Sequence, residues 1–164
     1  MDGILAAVST TSPHAGALAA LAVLLLLGMA LLVPDVGEVE LLDKMLKDAL
    51  SSDENYTLKL YTAISPALGE SSVAGDFTEA TFGGYSSASK TRAGWAGAST
   101  AGGTTSTTHA QSSWTKSDAG TQTILGYYVI GATSTVLLWA ETFAASRTLN
   151  QNDTLNVTLR MELA

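Results

Sequence analysis

No cysteine occurs in the 164-residue chain, which excludes disulfides, thiolate metal sites and a cysteine nucleophile. Hydrophobic packing or association between copies must therefore hold the fold. Histidine is nearly absent too, with only His14 and His109, and neither sits in a metal-ligand spacing. Charge is scarce: charged residues make up 14% of the chain, against roughly a quarter in typical soluble domains. Basic residues are the scarcest of these, and the net charge of −7 argues against a nucleic-acid partner, which normally meets a basic footprint.

Ser, Thr, Gly and Asn occupy the polar positions instead. A neutral polar surface suits large contact areas, because burying an unpaired charge in an interface is costly. Scattered Tyr, Phe and Trp argue for a folded body and against a disordered chain.

Residues 15–33 are nineteen consecutive residues without a charge, closed by Pro34-Asp35. About twenty apolar residues cross a bilayer core, so the run lies at the lower limit for spanning. Its flanks lack the Lys/Arg bias that sets membrane orientation, and no positive n-region precedes it. Three readings follow. The first is an internal start at Met29, which would leave residues 1–28 outside the protein, or an unstructured extension. A leader or membrane anchor is second, and a membrane is a partner only if residues 15–33 are retained. A helix buried in an assembly is third. The chain divides on this basis into an apolar extension (1–34), an amphipathic helix (35–51) and a β domain (52–164).

Asp35-Val36-Gly37-Glu38 has capping-box form. Behind it, Val39, Leu42, Met45 and Leu46 recur at three- and four-residue spacing and form one apolar stripe. The stripe either packs on its own domain or docks on a neighbouring subunit. From Asn55 the period changes to two. Tyr56, Leu58 and Leu60 alternate with polar neighbours, and strands are expected at 77–82, around Trp114, at 121–130, at 135–141 and at 155–163. Val136-Leu137-Leu138-Trp139 predicts a central strand covered on both faces. Residues 83–109 read as a Gly/Ser/Thr/Ala-rich loop, with 101–106 the least structured stretch. Short strands separated by Gly/Ser/Asn turns predict a mainly β fold, an antiparallel sandwich or jelly-roll-like domain behind an N-terminal amphipathic helix.

The search for chemistry ends without a catalytic set. His109 lies in a Ser/Thr segment with no nucleophile elbow. Ser87/Lys90 and Ser113/Lys116 match Ser-x-x-Lys but fall in loop and strand, and not on one helical turn. Asn150, Asn152 and Asp153 offer oxygens to calcium, yet a tight turn accounts for them better. Asn55, Asn152 and Asn156 head glycosylation sequons that matter only in a secreted eukaryotic chain. No cofactor is implied. Tyr85, Lys90, Arg92, Trp95 and Trp114 form the one suggestive group, an interface or ligand contact flanking the flexible segment. Packing is the favoured role for both tryptophans.

From Met29 onward the chain resembles small virion structural proteins of tailed bacteriophages. The resemblance rests on Leu32-Val33-Pro34-Asp35-Val36-Gly37-Glu38, Leu58-Lys59-Leu60-Tyr61, the stretch from Phe77 to Tyr85, Gly126-Tyr127-Tyr128-Val129 with Leu138-Trp139-Ala140-Glu141, and Asp153-Thr154-Leu155 with the alternation after it. It implies a non-enzymatic capsid cement or decoration subunit, or a tail component. Its partners would be itself, commonly as a homotrimer, and the major capsid protein or other virion subunits, at the capsid surface or tail. The alternative is a secreted or surface-anchored carbohydrate-binding module that uses Trp95 and Trp114 as stacking platforms.

Overall fold

The computed structural model describes residues 7–11, 32–37, 39 and 54–163. These contain eleven strands, paired antiparallel throughout, and two short 3-10 turns. The fold is mainly β. Residues 35–37 and 39 are helical, while Leu42, Met45 and Leu46 of the predicted stripe lie outside the described residues. Most of the uncharged run also lies outside them. Among the described residues no helix is long and apolar enough to cross a membrane.

The chain order is β1 (Ala7–Thr11), β2 (Tyr56–Ile64), β3 (Phe77–Glu79), β4 (Ala88–Lys90), β5 (Ser99–Ala101), β6 (Thr104–Thr108), β7 (Ser112–Thr115), β8 (Gln122–Gly131), β9 (Leu137–Leu149), β10 (Thr154–Thr158) and β11 (Arg160–Leu163). One sheet runs β3-β2-β8-β9, with β4 also paired to β2. Two three-stranded ladders, β1-β10-β7 and β11-β6-β5, make up the rest.

Those two ladders are joined at a kink. Thr108 pairs with Arg160 and Ser112 with Val157, so residues 109–111 face only residues 158–159. One extra residue on the β6–β7 side makes a β-bulge, which bends the strand and re-aims its side chains. The His109 N–H still reaches the Leu159 carbonyl at 3.0 Å, so pairing continues across the bend. The alternating C-terminal segment predicted as one strand is thus two, broken at Leu159.

A single buried cluster joins both sheets. Leu58 and Leu60 of β2, Ile124, Tyr127 and Val129 of β8, and Leu138, Trp139 and Phe143 of β9 meet Trp114 of β7, Leu155 and Val157 of β10, and Leu159. A smaller cluster covers the opposite face of the five-stranded sheet. There Phe77 stacks on Tyr128 at 4.4 Å and meets Tyr61 edge-on at 5.1 Å. β8 and the first half of β9 are therefore dry on both sides, which explains their unbroken apolar runs. β9 is not central, however. It ends the ladder, and Leu32 pairs with its free edge at Ala140. Gly37 follows closely enough that a Cβ there would collide with the Leu138 carbonyl.

Four strands depart from the sequence reading: β4, β5 and β6, which lie in the segment 83–109 read as a loop, and β1. Residues 101–106, expected as the least structured stretch, lie in a hairpin, β5–β6, turned by Gly102 (φ 60°) and Gly103 (φ 86°). Positive φ at both central residues is the geometry a two-residue hairpin turn requires, and glycine adopts it without strain. Ala7–Thr11, placed by the sequence in an extension ahead of the β domain, pairs residue for residue with β10.

Candidate functional site

The five residues singled out by the sequence separate into two places. Trp114 and Tyr85 belong to the core. Trp114 is 4% exposed, and its indole N–H donates to the Ser86 carbonyl at 2.7 Å. Tyr85 lies tilted against it at 6.1 Å, donates its hydroxyl to Glu79 at 2.9 Å and accepts the Leu60 N–H at 3.1 Å. Burial and the Glu79 carboxylate hold the phenol protonated at any ordinary pH. The other Glu79 oxygen takes the Lys59 ammonium at 2.9 Å. These contacts tie β2 to the segment after β3.

Lys90, Trp95 and His109 gather at the bulge. Lys90 is buried, and its ammonium donates to the Ala110 carbonyl at 2.6 Å. That carbonyl belongs to the bulge, where ladder pairing is interrupted. Burial pulls the Lys90 pKa down from its usual value. Both His109 ring nitrogens face main-chain carbonyls, Nε2 on Thr91 at 3.1 Å and Nδ1 on Ala110 at 3.3 Å. Trp95 stands edge-on to the imidazole at 5.4 Å, and a Cβ on Gly94 would collide with its Nε2. Arg92 is exposed, and its backbone N–H donates to Asn55. The group works as a pin that fastens the bend between the two ladders to β4. With both ring nitrogens on carbonyls, His109 is not arranged as a general base for a neighbouring hydroxyl.

The other chemical candidates resolve into structure in the same way. Lys116 is 1% exposed and donates to the Asp118 carbonyl (2.7 Å), the Asp118 carboxylate (2.6 Å) and the Ala119 carbonyl (3.1 Å). Its ammonium closes the turn after β7, and Lys90 is anchored on Ala110, so neither amine is set to activate a serine. Asp153 accepts both the backbone and side-chain N–H groups of Asn150, at 2.8 and 2.9 Å, and Asn152 takes φ 72°. This is turn chemistry. Among the described residues no cluster of three or more His, Asp or Glu side chains could hold a metal.

One buried acid had no signal in the sequence. Tyr127 and Glu141 are direct cross-strand partners, and the phenol donates to the carboxylate at 2.6 Å. Burial raises the Glu141 pKa, with the Tyr127 hydrogen bond opposing the rise. Each side chain is at most 2% exposed, so the pair braces the core and opens onto no cleft. A second buried acid, Glu54, accepts the Thr133 and Ser134 N–H groups at 2.6 and 2.8 Å and so fastens the β8–β9 turn.

One exposed patch among the described residues is apolar. Val36 is 43% exposed and Val39 is 60% exposed, and with Asp35 and Val136 they line a groove of about 300 Å³. Val39 heads the predicted docking stripe, and Val36 precedes it in the chain. Compared with protein-family models and with curated proteins, the chain matches none.

Proposed function

We propose that the protein is a non-enzymatic structural subunit, a capsid cement or decoration protein of a tailed-phage virion. It acts by homo-oligomeric contacts, as a trimer, and by contacts with the shell. In this reading the two sheets face each other as a sandwich. The β body supplies a rigid block, and the N-terminal helix meets neighbouring subunits. The observation that carries the assembly role is the exposure of Val36 and Val39 beside Val136. Large apolar side chains grouped on an open surface favour a partner over water. The virion assignment rests on the resemblance of the segments between Leu32 and Leu163.

The carbohydrate-binding reading counted on Trp95 and Trp114 as platforms. Trp114 lies in the core and Trp95 is half-buried against His109, so nothing favours that reading.

The test uses the purified full chain, sized by light scattering and then sedimented with shells assembled from the major capsid protein of the same genome. Oligomers that co-sediment with shells are expected. Val36→Asp/Val39→Asp should keep the wild-type thermal unfolding and lose assembly. A wild-type monomer without affinity for shells would sink the proposal.

A further inference from the structure

We infer that β1 is an exchanged arm: Ala7–Thr11 of one copy completes the β10 edge of a second copy of this chain. The argument starts from the edge. β10 pairs with β7 on one side and with β1 on the other. Without β1, residues 154–158 would present a row of unpaired N–H and C=O groups. Leu155 and Val157 are fully buried, and the strand has no lysine, proline or bulge to blunt it. Such an edge recruits another strand.

What fills it is weakly tied to the rest of its own chain. Among the described residues, β1 packs extensively on β10 and on no other element. Twenty residues, 12–31, separate its end from Leu32, which is fixed on the other sheet at Ala140. A tether of that length reaches about 66 Å when extended, whereas packed sheets lie only about 10 Å apart. Return to the same body needs a small part of that reach, and the remainder spans comfortably to a neighbour. The tether's sequence suits that passage. It is uncharged from Ala15 onward, so no charge would have to be desolvated where it passes between two copies. Leu32, where the described chain resumes, leads directly to exposed Val36 and Val39, a surface open to a second copy. Main-chain pairing supplies the affinity, as in other strand-addition contacts.

The absence of native cysteine makes the test clean. Ser9 pairs with Asn156 and Val8 with Val157. Neighbouring antiparallel pairs alternate between wide and close Cα spacing, so one of the two pairs falls within disulfide reach. Ser9→Cys and Asn156→Cys chains carrying different tags are co-expressed, oxidised mildly and run on non-reducing gels. The Val8→Cys and Val157→Cys combination is treated likewise. Exchange predicts a disulfide-linked product that carries both tags, and linked multimers when both cysteines are on one chain. An internally closed monomer from the double variant, with no mixed-tag product, overturns the arm. Absence of any cross-link in both pairs overturns it as well, since β1 would then not lie on β10. The readout concerns copies of this chain alone, so it stands or falls separately from shell binding.

Discussion

The five-stranded sheet and the β5–β6 hairpin solve the same problem with opposite means. In the first, β8 and the front of β9 are dry on both faces, and specific partners hold several of the polar groups there. Glu141 holds Tyr127, Tyr61 and Thr142 share a hydroxyl hydrogen bond at 2.7 Å, and Glu54 caps the connecting turn. In the second, β5 is exposed along its length and β6 is half-buried. Hydroxyls pair across the ladder, as Thr100 does with Thr105 at 2.8 Å, but water is available to each of them. Polar groups in the sheet are thus part of a packed core, while those in the hairpin decorate a surface. An unmet hydrogen bond costs much in the first setting and little in the second.

Leu60→Ala strikes the comparison hardest. Leu60 is fully buried in the cluster shared by both sheets, and truncation leaves a cavity at their junction. A loss of about 2–5 kcal/mol is expected, read from chemical denaturation with the slope unchanged. A loss under about 1 kcal/mol would show that the two sheets do not share one core.

Glu141→Gln tests the dry side through pH. The folded-state pKa of this acid is raised by burial, so the native chain binds its proton more tightly than the unfolded chain does. Its contribution is fully present below the unfolded carboxylate value of about 4.3 and is lost as pH rises through the raised folded value. Wild-type stability should therefore fall relative to Glu141→Gln as pH increases from 4 toward neutrality. Parallel stability curves for the two proteins across that range would remove the buried-acid account.

The same division explains what the sequence disclosed. Alternation and aromatic content mark β2, β7 and the C-terminal pair because each has one large apolar face, and β8 stands out because it is apolar on both. β5 and β6 were hidden by small hydroxylic residues that carry no hydrophobic period, and Gly102-Gly103 read as looseness when it was the turn itself. The far half of β9 was hidden by a bulge. Residues 143–146 face only Leu125, so the in/out alternation that begins at Glu141, after the apolar run, loses phase. Leu137–Trp139 is covered on both faces as expected, while Val136 lines the open groove, and a covered strand need not be central. Among the site candidates, the role of Lys90 depends on a main-chain carbonyl twenty residues away, which side-chain patterns cannot show. Tyr127 and Glu141 become partners only once the register is known.

Thr105→Ala probes the wet side and should do least. The substitution removes the Thr100 hydroxyl partner from a half-exposed ladder position and opens no cavity between the sheets. Cross-strand pairs of this kind contribute about 0.2–1 kcal/mol, and water can replace the lost partner. The expected change in denaturation midpoint is therefore small, several-fold below that of Leu60→Ala. If the two losses proved equal, the hairpin would have to be buried in the assembled protein. That outcome would move β5–β6 from decoration to interface and make its outer face the next surface to cross-link between copies.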